Sequence, residues 1–278
     1  MLAIRFWQAD FLIRRNSMAI DSHQVHKTSP GRRTSVREHQ ALVFIHGFLD
    51  SHVSWEPLME ALSKHGVPSI APDLSGAGKR QAHPGPYTLN QAVTDILEQL
   101  DEQGLTNVAL VGHSMGAQIA ELIAWQVPER VTSLTLITPT PLAGNILPES
   151  ARAMLRECGA DALAQRNIRM QFSTNLNGDQ LDQLVQPTVL MGKEVARDYY
   201  DAFIQGDARG HSPCTYGGPT LILGSTDDSV IPAQQVAEIH RNRFPNADLR
   251  LIDGCGHWPQ LEQPERTAEV LASHLQLS

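Results

Sequence analysis

The run Val108-Ala109-Leu110-Val111-Gly112-His113-Ser114-Met115-Gly116 constrains this chain more tightly than any other part of it. Its first four residues are apolar, as in a strand buried on both faces, and the residues from 115 to 125 read as an amphipathic helix. A strand passes into a helix over so few residues only by turning abruptly, with Ser114 at the apex. Gly112 and Gly116 leave out side chains where strand and helix crowd together. The turn also puts Ser114 at a helix N-terminus, where backbone N–H groups and the positive end of the helix dipole face outward. A nucleophilic serine needs such donors, because negative charge develops on the group it attacks. Glycine and serine are common, so the short motif alone says little. The strand before it and the helix after it carry the reading.

The same alternation of short apolar runs and helical stretches continues from residue 41. Strands are expected at 42–45, 68–71, 131–137, 220–223 and 248–252, and helices at 55–64, 88–100 and 265–275. In the helix at 88–100, Leu89, Val93, Ile96 and Leu100 share one face. Continuous apolar strands separated by helices indicate the α/β class, with a mostly parallel central sheet flanked by helices. Between residues 137 and 220 the strand signal lapses. Helical patterns at 150–156, 161–172, 178–185 and 194–205 fill a gap too long for a plain connection. This insertion is expected to cap the carboxyl edge of the sheet, where open α/β sheets bind ligands. The bulky groups of Met191, Tyr199, Tyr200 and Phe203 are the expected lining of an apolar pocket beneath it. The expected organisation is a core over 18–138, a helical cap over 139–216 and the remaining core over 217–278. Residues 1–17 are expected to form a poorly ordered N-terminal extension, with a short docking helix as the alternative. Residues 25–39 are the place for one or two antiparallel edge strands.

Composition narrows the classes of partner. A chain of 278 residues with 41% hydrophobic content can bury the core of one large α/β domain with an insertion. A net charge of −8 gives no bulk attraction to nucleic acid or to an anionic membrane surface. No run approaches the roughly 20 apolar residues of a membrane span. Cys158, Cys214 and Cys255 are too few and too scattered for a disulfide framework, so a cytoplasmic setting is the simpler reading. No His/Cys cluster has metal-ligand spacing, and neither metal nor cofactor is expected.

Serine is a weak nucleophile until a base accepts its proton and an acid orients that base. Of the 12 histidines, His257 has the right position, on a glycine-rich loop (Asp253-Gly254-Cys255-Gly256) after a late strand. His113, next to the serine, diverges from it on a tight turn and is read as a packing residue. The acid belongs on the loop after the preceding strand, where Asp227 and Asp228 are adjacent. Counting forward from Gly224 favours Asp227. Counting back from Val230-Ile231-Pro232, expected to open the next helix with proline in its first turn, favours Asp228. The second anchor is tighter because it fixes the exit of the loop, so Asp228 is taken as the acid, with Asp227 as the alternative. Met115 N–H and Phe48 N–H, the latter on the His46-Gly47-Phe48 turn after the first strong strand, are the expected oxyanion donors. The Phe48 ring is expected in the wall of the pocket.

With these residues in place, the sequence resembles the capped α/β-hydrolase superfamily of carboxylesterases, lactonases, cofactor-free haloperoxidases and carbon–carbon bond hydrolases. The likeness rests on His46-Gly47-Phe48, Asp73-Leu74-Ser75-Gly76-Ala77-Gly78, the elbow at 112–116, the acid loop at 228–232 and the histidine loop at 254–265. It spans roughly residues 41–275 apart from the cap. Ala77 departs from a frequent histidine, and Lys79-Arg80 stand where a serine often follows. The order Ser114, Asp228, His257 is that of the superfamily and not of chymotrypsin-like or subtilisin-like enzymes. The resemblance implies a serine hydrolase acting on a small, fairly apolar carboxylic ester or lactone through an acyl-enzyme. Serine at the elbow separates it from dehalogenases and epoxide hydrolases, which carry aspartate there. Cys255-Gly256-His257-Trp258 is similar to the carbon–carbon hydrolases of aromatic degradation, but His46-Gly47-Phe48-Leu49-Asp50 lacks their Gly-Pro-Gly-rich loop. That activity is the first alternative; a non-catalytic small-molecule receptor on the same fold is the second.

Overall fold

The computed structural model describes residues 40–147, 149–186 and 191–277. The expected N-terminal extension and the edge strands at 25–39 lie outside these residues. Six strands form one parallel sheet: β1 (Gln40–Ile45), β2 (Ser69–Ile70), β3 (Asn107–His113), β4 (Val131–Ile137), β5 (Thr220–Ser225) and β6 (Asp248–Ile252). Their order across the sheet is β2-β1-β3-β4-β5-β6. Helices α1 (Glu56–Leu62), α2 (Leu89–Glu102) and α3 (Met115–Gln126) connect the first four strands. Between β4 and β5 come α4 (Glu149–Glu157), α5 (Ala162–Phe172), α6 (Gly178–Val185) and α7 (Lys193–Gln205). The chain closes with α8 (Ala233–Arg243), the one-turn α9 (Pro259–Glu262) and α10 (Pro264–Leu275).

Alternation along each strand divides the core into two layers. Val43 and Ile45 of β1 and Leu110 of β3 pack with Ile96 of α2, Ile119 and Ile123 of α3 and Val236 of α8. Leu42, Phe44, Ala109 and Val111 face the other way, onto Leu58 of α1 and Leu271 of α10. Both faces of the sheet are therefore covered, which is why its strands read as unbroken apolar runs.

The helix after β3 departs from the expected amphipathic pattern. Every residue of α3 from Met115 to Ala124 is buried, including Gln118 and Glu121. Buried polar groups need partners. Gln118 Nε2 donates to the carbonyls of Pro141 (2.8 Å) and Phe203 (3.1 Å), and Glu121 pairs with the Arg243 guanidinium. A central helix covered on all sides shows no polar stripe, so its polar residues are no guide to an exposed face. Pro232 likewise stands one residue earlier than expected, as the N-cap of α8.

Strand β3 runs to His113 and α3 starts at Met115, so Ser114 makes the whole turn, with φ 53° and ψ −117°. A Cβ on Gly112 would stand 2.3 Å from the Gly116 carbonyl oxygen, and one on Gly116 would stand 2.1 Å from the Ile45 carbonyl oxygen. Both contacts are with backbone, which cannot swing aside. Gly116→Ala is expected to lose about 1–3 kcal/mol or more of stability through overpacking, read as a lower urea midpoint in equilibrium unfolding.

Candidate active site

The connections of the sheet reverse direction between β1 and β3, because β2 lies to one side of β1 and the remaining strands to the other. The two turns that leave β1 and β3 diverge at this point and open a crevice at the carboxyl ends of the strands. Ser114 stands on one side of it and the 46–50 turn on the other. Gly47 keeps them close: a Cβ there would lie 3.1 Å from both Ser114 Cβ and the His113 carbonyl oxygen.

Ser114, His257 and Asp228 meet here. His257 Nε2 lies 3.1 Å from Ser114 Oγ, and His257 Nδ1 lies 2.8 Å from Asp228 Oδ2. The carboxylate accepts the Nδ1 proton, which leaves Nε2 to accept from the serine hydroxyl. Asp228 is buried, and its Oδ1 also accepts from the backbone N–H groups of Val230 (2.7 Å) and Ile231 (3.0 Å). Asp227 is exposed, and its own N–H donates to the Cys255 carbonyl at 3.1 Å. The two aspartates thus occupy different environments, and Asp228 alone reaches the imidazole. The backbone of His257 is held at both ends. Its N–H donates to the Phe172 carbonyl in the insertion (2.9 Å), and its carbonyl accepts from Thr138 Oγ1 (3.1 Å) and His113 Nε2 (2.8 Å). Burial works against a charge on the His257 ring, but the Asp228 carboxylate outweighs it and raises the pKa above 6.5. Burial pulls His113 the other way, below 6.5.

The two expected oxyanion donors border the serine. Met115 is the first residue of α3, so its N–H precedes the hydrogen-bond ladder of the helix. Phe48 lies in the turn after β1, and its ring shares the wall of one cavity with Ser114 and His257.

Asp50 and Arg169 were not singled out by sequence, yet they form a buried polar node behind this turn. Asp50 Oδ2 accepts from Trp258 Nε1 at 3.0 Å and lies 3.6 Å from His113 Nδ1; its Oδ1 lies 3.4 Å from an Arg169 guanidinium nitrogen. The same nitrogen donates to the Leu49 carbonyl. Burial opposes the charge on Asp50, but His113, Arg169 and Trp258 together hold its pKa down at about 2. One carboxylate therefore touches the neighbour of Ser114, the neighbour of His257 and the insertion. A second carboxylate, Glu262, accepts from the N–H groups of Gly256 and Trp258 in the histidine loop and of Thr174 and Asn175 in the insertion.

The cavity has a mainly apolar wall. Leu155, Ile168 and Phe172 of the insertion line it, with Phe48, Trp258 and Phe203. Of the four bulky residues expected to line it, Phe203 alone does. Met191, Tyr199 and Tyr200 are buried in packing instead, and Tyr199 Oη donates to the Ser75 carbonyl at 2.9 Å. Residue type identified them as apolar, but the direction of α7 decided where they pointed. Thr140 Oγ1 lies 3.4 Å from Ser114 Oγ. No group of three or more His, Cys, Asp and Glu side chains is placed to hold a metal ion among the described residues. No helix among them is long and apolar enough to cross a membrane.

A family model for the alpha/beta hydrolase fold matches residues 40–264. The chain is 39% identical over 102 residues to epoxide hydrolase 2 of Siraitia grosvenorii, a match covering 36% of this chain and 32% of that protein. It is 26% identical over 251 residues to the 2-hydroxy-6-oxononadienedioate/2-hydroxy-6-oxononatrienedioate hydrolase of Burkholderia vietnamiensis, covering 85% and 87% of the two chains. The chain spans less than two thirds of the length of the first two relatives it matches, the epoxide hydrolase among them. An esterase from Exiguobacterium antarcticum superposes with a TM-score of 0.75 at 24% identity, covering 85% of this chain and 92% of the other, which shows the shared fold.

The geometry has a pH signature. A base with its pKa above 6.5 loses the ability to accept the serine proton as pH falls through that value. Labelling of Ser114 by a fluorophosphonate is expected to decline with a midpoint above 6.5. Asp228→Asn removes the charge that raises His257, so its midpoint is expected below that of the wild type. The same substitution should slow labelling on the order of 10³–10⁴-fold by unseating the imidazole.

Proposed function

The chain belongs to the alpha/beta hydrolase fold family, and on that premise we propose that it is a serine hydrolase cleaving a small, fairly apolar carboxylic ester or lactone through an acyl-enzyme on Ser114. The observation that carries this reading is the chain of contacts from Ser114 Oγ through His257 to Asp228, at 3.1 and 2.8 Å, opening on an apolar cavity.

In the proposed cycle His257 Nε2 takes the Ser114 proton as Oγ attacks the carbonyl carbon. Phe48 and Met115 N–H groups hold the resulting oxyanion. As the tetrahedral intermediate collapses, the bond to the alkoxide breaks and His257 returns the proton to it. A water molecule then attacks the acyl-enzyme, giving its proton to His257, and Ser114 recovers that proton as the acid departs. Asp228 orients the imidazole and stabilises its charged form throughout. Serine at the elbow supports this route over the chemistry implied by the partial match to an epoxide hydrolase.

Carbon–carbon bond hydrolysis is the second reading, supported by the Cys255-Gly256-His257-Trp258 run and by the Burkholderia vietnamiensis relative. That relative is named for dicarboxylate substrates. Here Arg169, the guanidinium in the cavity wall, is already paired with Asp50. The apolar wall therefore favours an uncharged ester.

A panel of p-nitrophenyl esters of increasing chain length, lactones and vinylogous diketones distinguishes the readings. The expected result is multiple turnovers of short esters or lactones, with Ser114→Ala lowering kcat by roughly 10³-fold or more. Turnover of diketones alone would move the assignment to the second reading. Tight binding of panel compounds without turnover would identify a receptor.

A further inference from the structure

We propose that Arg169, a residue of the helical insertion, is a positioning residue for the oxyanion donor of the core: it holds the 47–50 turn so that Phe48 N–H faces Ser114. This rests on the serine-hydrolase reading above and adds a part to it.

The turn is poorly secured by its own backbone. Its internal bond, Asp50 N–H to the Gly47 carbonyl, is long at 3.3 Å. Leu49, directly after Phe48, has φ 60°, a left-handed conformation that costs a non-glycine residue about 1 kcal/mol or more. His46 Nδ1 donates to the Gly47 carbonyl at 2.9 Å and secures the entrance of the turn, whereas its exit is restrained from outside. The Arg169 guanidinium donates to the Leu49 carbonyl and pairs with Asp50, gripping two consecutive residues past Phe48. Trp258 Nε1 holds the other oxygen of Asp50.

Arg169 is only 1% exposed, as is the carboxylate it meets. A buried ion pair is weak evidence for stability, because desolvation offsets much of the attraction. Nη2 makes both contacts with the turn while Nη1 donates to the Gln165 carbonyl of α5 at 3.3 Å, so the planar fork, anchored on its own helix, fixes the geometry. This fork joins the insertion to one of the two core turns that present an N–H to the reacting oxygen in the proposed cycle. The neighbouring Ile168 and Phe172 of α5 line the cavity, so one helix both shapes the pocket and braces the donor.

The test compares wild-type full-length protein with Arg169→Met and Arg169→Lys. For each, kcat and KM for p-nitrophenyl acetate are measured beside the inhibition constant of a trifluoromethyl ketone. Such a ketone forms a hemiketal oxyanion on Ser114 and reads the donor directly. Binding of the corresponding secondary alcohol, which has no oxyanion, serves as control. Circular dichroism and thermal unfolding establish that each variant is folded. Arg169→Met is expected to lower kcat about a hundredfold, as for loss of one oxyanion donor, and to weaken the ketone by a similar factor. KM and alcohol binding should change by less than about threefold, because the lost interaction belongs to the transition state. A rise in KM with kcat unchanged would make Arg169 a substrate-binding group and overturn the proposal. Unchanged kinetics in a folded variant would overturn it too. If Arg169→Met does not fold, Arg169→Lys decides: an ammonium cannot reproduce the fork, so about a tenfold loss of kcat is expected and wild-type kcat overturns the proposal. Ser114-dependent turnover by the wild type tests the underlying reading separately. Its absence removes both; its presence with an inert Arg169 removes this proposal alone.

Discussion

The contact of Gly116 with the backbone of β1 governs the arrangement of the whole site. Helix α3 leaves the middle of the sheet so steeply that its first turn lies against the Ile45 and His46 carbonyls, with no room for a side chain between. That closeness has two effects. It forces the turn into a single residue, Ser114, in a conformation that serine seldom adopts. It also brings the end of β1 beside the elbow, so the turn carrying Phe48 emerges next to the proposed nucleophile. Parallel pairing of β1 with β3 and the reversal of strand order at this point do the rest. Serine and donor turn become neighbours because two strands adjacent in the sheet end at the same height.

Around this centre the loops are tied by two carboxylates. Asp50 connects the turn after β1 to the residues adjoining Ser114 and His257, and Glu262 gathers four backbone N–H groups from the histidine loop and the insertion. Charged acceptors bond more strongly than neutral ones and leave little freedom to their donors. The insertion takes part in both ties. It supplies Arg169 to the first and the N–H groups of Thr174 and Asn175 to the second, and the Phe172 carbonyl holds the His257 N–H. It is therefore part of the frame of the site as well as its cover.

Much of this was legible in the sequence, for local reasons. The sheet strands announce themselves because burial on both faces demands unbroken apolar runs. The elbow was legible because steric crowding admits only glycine at 112 and 116. His257 could be chosen among 12 histidines by its loop, and Asp228 over Asp227 by the exit of its loop toward Ile231. What escaped was decided by direction and by distance along the chain. Helix α3 carries Gln118 and Glu121 yet is buried all round, since their partners, Pro141, Phe203 and Arg243, lie far away in sequence. Tyr199 and Tyr200 are apolar and aromatic as a pocket requires, but α7 turns them into the packing.

Sequence alone determined the α/β class and the turn at Ser114, because each depends on a backbone constraint that only certain residue types satisfy. Tertiary structure alone decided the wall of the cavity and the contacts of Arg169 with the 47–50 turn. Asp50 and Arg169 lie more than a hundred positions apart, in segments with no shared motif. An arginine on a polar-looking helix reads as an exposed charge until the fold buries it. The pairing that fixes its role exists only once the insertion has closed over the sheet.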